Sequence, residues 1–194
     1  MKLGKIATVR SGLVLSRKQA REPSTIRYPL LNLRSVNPGG YIDMDQLDVF
    51  DAKEALSSEY LSQIGDVIIR LTAPYTAILI DESTAGMVIS SNFVIIRTDC
   101  RMLLPEYLVW LINTPRVKRS IYENTSSNML GAIKAKYFSE YELPQLTIVQ
   151  QQKMARLNAL AQKETMLLRQ LADQKERYYA LLTERAHKEM KRGN

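Results

Sequence analysis

Between Thr147 and Met190 the chain contains neither glycine nor proline, and Gln, Lys, Glu, Ala, Leu and Arg dominate. Such a stretch reads as one continuous helix, roughly 65 Å long at 1.5 Å per residue. Leu157, Leu160, Leu168, Leu171, Tyr178 and Leu182 make an apolar stripe along it, and Leu167 and Leu181 widen the stripe beyond a strict two-position seam. The 146 residues that precede it cannot cover a helix of this length, and left alone it would hold a leucine face in water. It needs a partner helix. The first expectation is self-association; packing against another protein, or folding back after a break, are the alternatives.

The other residues follow a different pattern. Short runs at 5–9, 28–33, 66–71, 76–80 and 87–97 are enriched in Ile, Val, Leu and Thr. They are separated by turn signals at Ser11-Gly12, Asn37-Pro38-Gly39-Gly40, Ala73-Pro74 and Ala85-Gly86. Val67-Ile68-Ile69 and Phe93-Val94-Ile95-Ile96 are continuous rather than alternating, as strands buried on both faces should be. Ser57-Ser58-Glu59-Tyr60-Leu61 reads as a short capped helix before Gly65. From Pro105 the period becomes helical, with Tyr107, Leu108, Leu111 and Ile112 on one face, an interruption at Pro115, and a continuation through Val117 and Ile121. The polar stretch from Asn124 to Gly131 reads as an exposed loop. These signals predict an α+β chain: a β-rich globular domain over 1–146, then a long coiled-coil-like helix over 147–194.

One cysteine among 194 residues excludes a disulfide framework, and a lone thiol suits a reducing cytoplasm. The N-terminus has no apolar run resembling a signal peptide, and no stretch approaches the ~18 uncharged apolar residues of a membrane span. The expectation is a soluble cytoplasmic protein without a membrane partner.

The net charge of +7 is unevenly distributed. Residues 1–40 carry eight bases and one acid, whereas 41–100 carry three bases and ten acids. Residues 101–146 add a net +2 and 147–194 a net +5. A polyanion would be drawn to one part of the body and repelled by another. The competing reading is that the opposed blocks neutralise each other across strands.

Catalytic chemistry finds few footholds. With one histidine, His187, and one cysteine, Cys100, neither a Cys/His zinc site nor a plausible nucleophilic pair can be assembled. His187 reads as a solvated helix residue and Cys100 as a small core or edge residue. There is no phosphate-binding glycine loop. Thr72-Ala73-Pro74-Tyr75 is faintly similar to the Pro-Pro-Tyr/Phe loop of adenine methyltransferases, but it lacks the leading Asn or Asp and reads as a turn at a strand end. Acidic pairs occur at Asp43 with Asp45, Asp48 with Asp51, and Asp81 with Glu82, but Asp66, Asp81 and Glu82 are not followed by the strand lysine of a metal-dependent nuclease, and these acids otherwise suit turns and solvated strands. The chain reads as a non-catalytic binder that calls for no cofactor and no metal.

Four landmarks carry a family resemblance. The opening Leu3-Gly4-Lys5-Ile6-Ala7-Thr8-Val9-Arg10-Ser11-Gly12 resembles the start of a target recognition domain in the specificity (S) subunits of type I restriction–modification systems. Gly65-Asp66-Val67-Ile68-Ile69-Arg70 resembles that domain's central strand, and Leu104-Pro105-Glu106-Tyr107-Leu108-Val109-Trp110-Leu111-Ile112-Asn113 its later helix. Leu143-Pro144-Gln145-Leu146 with Gln150-Gln151-Gln152-Lys153 resembles the signature opening the family's spacer helix. Together they span nearly the whole chain in the family's order. Two departures concern the helix start: Pro-Gln-Leu replaces a double proline, and Gln151 or Gln152 stands where the family has a glutamate. The third is larger. Family members carry two such domains and two spacer helices, so this chain resembles a half-length subunit.

The resemblance implies a DNA-recognition subunit that dimerises through its helix to rebuild the two-domain whole. It would position methyltransferase (M) subunits, which carry S-adenosylmethionine, and restriction (R) subunits on double-stranded DNA. A coiled-coil protein–protein adaptor is the rival reading, and the specificity subunit of a related fused restriction enzyme a closer variant. DNA affinity would come from Lys and Arg on phosphates, and specificity from a few polar groups at base edges. The candidates are Arg10, Arg17, Lys18, Arg21, Arg27 and Arg34 in the basic block, with Asn37 and Tyr41 in the turn after it. Lys118, Arg119, Asn124, Ser126, Ser127, Asn128, Lys134 and Lys136 surround the polar stretch, and Arg70 and Tyr75 flank the central strand's end. The six stripe residues from Leu157 to Leu182 are the dimerisation candidates.

Overall fold

The computed structural model describes residues 1–126 and 133–192. The chain divides into two compact units, Met1–Gln152 and Lys153–Asn194.

The first unit is built on two sheets. Strands β1 (Ala7–Ser11), β4 (Val67–Arg70), β5 (Ala77–Leu79) and β7 (Phe93–Thr98) form an antiparallel sheet in the order β1-β7-β4-β5. Strands β2 (Arg27–Leu31), β3 (Asp48–Asp51) and β6 (Val88–Ile89) form a smaller one in the order β3-β2-β6, with β2 and β6 parallel. The continuous apolar runs are buried on both faces, as their pattern predicts. Ile68, Ile78 and Ile95 share one core with Leu31 and Ile89 of the smaller sheet. Val67, Ile69, Val94 and Ile96 alternate with these residues and are equally buried. Helix α1 (Pro105–Asn113) packs on β4 and β5, burying Tyr107, Leu108, Leu111 and Ile112. A break at Thr114 leads into α2 (Pro115–Ser126), and α3 (Ala135–Glu140) packs on β1 and the first turn of the chain.

The 87–97 run divides into β6 and β7. Between them Ser90 comes so close to Gly12 that a Cβ there would lie 2.3 Å from the Ser90 carbonyl oxygen and 2.4 Å from that of Ile89. Gly12 is required by this close approach, not by a turn. Two elements lack a clear sequence signature: β3, whose Asp-Val-Phe-Asp is too short to stand out, and the single-turn-and-a-half α3. The 57–61 segment forms one 3-10 turn, Ser58–Tyr60, capped by the Ser57 hydroxyl. Two expectations are corrected. Asn124, Thr125 and Ser126 belong to α2 rather than to a loop, because Thr125 is buried and bonded to Tyr75. Cys100 is exposed, since it lies past the end of β7 in the turn that leads to α1.

Among the described residues one charged side chain is buried outright. Asp66, 1% exposed, pairs with Arg97 through two bonds, Nε to Oδ1 at 2.7 Å and Nη2 to Oδ2 at 3.1 Å. The carboxylate also accepts from the Gln63 amide at 2.9 Å, while Arg97 donates to the Leu61 carbonyl at 3.0 Å. The pair thus locks β4 to β7 and to the loop that precedes β4.

The last helix, α4 (Ile148–Arg192), begins within the first unit. There Gln151 is 3% exposed. Its Oε1 accepts from the Leu104 amide at 2.9 Å, and its Nε2 donates to the carbonyls of Met102 and Leu146, both at 3.1 Å. A carboxylate could not donate to those carbonyls, which accounts for glutamine at this position. The second unit is helical to Arg192, and its six stripe residues are all exposed, from 46% for Leu182 to 60% for Leu157, Leu168 and Tyr178. Among the described residues no helix is long and apolar enough to cross a membrane.

Asp66→Ala strands the Arg97 guanidinium and is expected to cost about 3 kcal/mol of unfolding free energy, measured by urea denaturation. Gln151→Glu sets an acceptor against two carbonyls and should cost about 1–3 kcal/mol in the same measurement.

Candidate nucleic-acid interface

Folding sorts the candidate residues by what each already touches. Much of the basic N-terminal block is neutralised by the acidic block that follows it. Arg27 Nε bonds Asp51 Oδ1 at 2.8 Å, and the two residues stand directly opposite each other in the β2–β3 register. Arg34 pairs with Asp48, at the other end of the same strand pair. Lys18 pairs with Glu54, and its hydrogen bond holds the glutamate below the usual carboxylate range. Arg10 pairs with Glu59 at 3.0 Å; burial, together with nearby Arg97, lowers the guanidinium from its ordinary value. The acidic block therefore neutralises these four bases, across paired strands for Arg27 and through turns and strand ends for the other three.

Other candidates serve the scaffold. Arg70 donates to the carbonyls of Leu33 at 3.1 Å and Ala73 at 3.2 Å, bridging the sheets, and burial lowers its pKa. Asn37 Oδ1 accepts from the Gly39 amide at 2.8 Å, closing the turn in which Gly40 takes a left-handed φ of 88°. Tyr75 corrects the expectation of a surface contact. It adopts φ 52° after a cis Ala73–Pro74 bond and turns its ring inward to 5% exposure. There its hydroxyl shares a 2.9 Å hydrogen bond with Thr125 Oγ1. The side chain spends its polar group on holding α2, so it offers nothing to a ligand.

What remains forms two basic surfaces. On the first, the 15–20 segment runs beside residues 51–53, bridged at Gln19 and Ala52 and by the Lys53 amide to the Lys18 carbonyl at 3.0 Å. Arg17 and Arg21 are exposed there and have no ion-pair partner among the described residues, and Lys53, hidden in the acidic block of the sequence, joins them. The second surface lies on α2 and α3. Arg116, Arg119 and Ser120 line a surface groove with Pro115 and Glu123. The Ser120 hydroxyl and Tyr137 hydroxyl, 3.3 Å apart, tie α2 to α3, which carries Lys136 with Lys134 at its cap. Lys118 is half-buried, and burial lowers its pKa. Asn124 Nδ2 donates to the Ser120 carbonyl at 2.7 Å. Tyr41 is exposed. The Ser126 side chain, Ser127 and Asn128 lie outside the described residues. Arg116 was not among the sequence candidates, although its spacing of three from Arg119 on one helix was a readable signal.

Among the described residues no group of three or more His, Cys, Asp or Glu is placed to hold a metal. The chemistry on offer is charge and hydrogen bonding.

The architecture recurs in solved structures of type I restriction–modification proteins. A chain from a study of the assembly and conformational transition of the type I R-M system superposes with a TM-score of 0.65, at 19% identity, over 89% of this chain and 44% of that one. The HsdS subunit of Thermoanaerobacter tengcongensis superposes with a TM-score of 0.60, at 14% identity, over 87% of this chain and 38% of its own. This chain has the HsdS fold. It spans less than half the length of either structure, which agrees with one β-rich unit and one long helix. No family model and no curated protein matches the sequence.

Proposed function

We propose that this chain is the DNA-recognition subunit of a type I restriction–modification complex, acting as a homodimer of half-length subunits. The observation that carries the reading is the HsdS fold over nearly the whole chain. The four sequence landmarks that resemble the family support it independently. The β-rich unit serves as a target recognition domain and α4 as the spacer.

In this reading, affinity comes from the bases left unpaired by folding. Arg17, Arg21 and Lys53 on one surface, and Arg116, Arg119, Lys134 and Lys136 on the other, reach phosphates. The exposed Tyr41, and the hydroxyl and amide side chains of Ser126, Ser127 and Asn128, are of the types suited to reading base edges. A two-fold dimer meets two identical half-sites in opposite orientation, so the recognition sequence is palindromic with a non-contacted spacer. The subunit performs no chemistry itself; it holds methyltransferase and restriction subunits on the DNA.

Replacing Arg116 and Arg119 together, or Arg17 and Arg21 together, by Ala should weaken binding of target duplex and reduce the salt slope of log K by about 1–2. Arg27→Ala, which removes a base already paired with Asp51, should leave that slope nearly unchanged. Electrophoretic mobility shift across a salt series, with the methyltransferase subunit present, measures both. Equal effects from paired and unpaired arginines would defeat the assignment. Replacing Leu168 and Leu171 by Ser should convert dimers to monomers in sedimentation velocity.

A further inference from the structure

The face that α2 and α3 present carries aromatic rings as well as bases. Along α2, Arg116, Arg119 and Glu123 fall on one side at spacings of three and four, and with Pro115 and Ser120 they line a groove of about 460 Å³. That volume lies in the range of about 300–1,000 Å³ in which pockets hold small molecules. Tyr122 stands on the flank of the same row, three residues past Arg119, and is 61% exposed. On the other flank the Ser120 hydroxyl meets the Tyr137 hydroxyl at 3.3 Å. Tyr137 is half-buried, with its ring centroid 6.3 Å from that of Tyr141. Burial and the neighbouring Tyr137 raise the pKa of the Tyr141 hydroxyl while Arg116 lowers it, so this cation sits beside the aromatic pair.

We propose that this face binds single-stranded DNA, with phosphates on Arg116 and Arg119 and a base stacked on the ring of Tyr122. This goes beyond the duplex-recognition reading above: an unpaired strand becomes a second ligand of the same surface. The three side chains follow one another along the helix, Tyr122 about 4.5 Å beyond Arg119 at 1.5 Å per residue. A phosphate held by Arg119 therefore carries its own base towards Tyr122. Glu123 closes the groove at the end far from Arg116 and repels phosphate, so the backbone runs past the arginine end and the base lies at the tyrosine. Lys134 and Lys136, at the start of α3, extend the positive charge alongside.

A paired base cannot use this ring. In duplex DNA each base face is covered by the next base pair, and only the edges reach the grooves. An exposed tyrosine then contributes little more than its hydroxyl, whereas an unstacked base gains the whole ring face. Stacking of that kind is tolerant of base identity, because every base has a π face. The arginines, in contrast, meet phosphate on either form of DNA. The two ligands therefore share the arginines of this surface and differ in their use of the ring.

The test follows the fluorescence anisotropy of a labelled oligothymidylate of about twelve residues, within the span that such sites occupy, on titration with the full chain. The chain should bind this strand, and an abasic strand of the same length and charge should bind about tenfold more weakly. Tyr122→Ala should lose about tenfold in affinity for the oligothymidylate, and Tyr122→Phe should retain it. Neither should change duplex binding or its salt slope in the mobility shift above, which also shows that the variants fold. Arg116→Ala combined with Arg119→Ala should weaken both ligands. An abasic strand that binds as tightly as the oligothymidylate, or Tyr122→Ala that binds it like the parent, overturns the inference. No strand binding beside normal duplex binding also overturns it and leaves the recognition reading standing. Strand binding without duplex binding removes that reading and leaves this site. An oligouridylate that binds more tightly than the oligothymidylate makes RNA the ligand and overturns the assignment to DNA.

Discussion

The Asp66 carboxylate is the one charged side chain buried outright among the described residues, and much of the first unit is organised around it. It sits at the entry to β4, the strand between β5 and β7, and its two bonds to Arg97 fix β4 against β7 in register. The same arginine holds the Leu61 carbonyl, so the loop that brings the chain from the small sheet to the large one is tied to the pair. Arg10 lies close enough to feel Arg97, and its own partner, Glu59, belongs to that loop. Burying a charge is costly unless every lone pair and donor is met. Here a bidentate guanidinium and a backbone amide meet the carboxylate. The strands that enclose the apolar core can then form around a fixed centre.

Charge follows a second logic on the surface. The basic first forty residues and the acidic next sixty are opposed because they become neighbouring strands and turns. Arg27 with Asp51 joins β2 to β3, Arg34 with Asp48 joins the turn after β2 to β3, and Lys18 pairs with Glu54 beyond the end of β3. Exposed pairs of this kind add little stability, because water and salt screen them. Their larger effect is to withdraw those bases from any long-range attraction and leave it to the unpaired ones. An anionic partner meets Arg17, Arg21 and Lys53, or the α2–α3 groove, rather than the basic block as a whole.

The cap on α4 and the apolar stripe along it divide the labour of one helix. Gln151 satisfies three backbone groups of the first unit and fixes where the helix begins. Beyond Lys153 the helix contributes no core of its own and presents leucine and tyrosine. The first turn is specified by hydrogen bonds that a chain makes with itself. The remainder is specified by contacts that it can make only with something else.

The long helix, the continuous buried strands and the α1–α2 break at Pro115 were legible from sequence, because each is encoded by local periodicity or by a residue that forbids the alternative. The HsdS fold was legible too, through short landmarks whose order mattered more than any one of them. The candidate interface was only partly legible. Arg10, Lys18, Arg27 and Arg34 looked as available as Arg17 and Arg21 until folding brought acids from 14 to 49 residues away onto the first four. Tyr75 read as a surface aromatic because nothing local announces that its hydroxyl meets Thr125, fifty residues on. The sequence by itself determined the elements and the apolar face of α4, since those depend on neighbours within a few residues. Which charges remain free to bind a partner was decided only by the tertiary structure, because cancellation depends on which distant strands lie side by side.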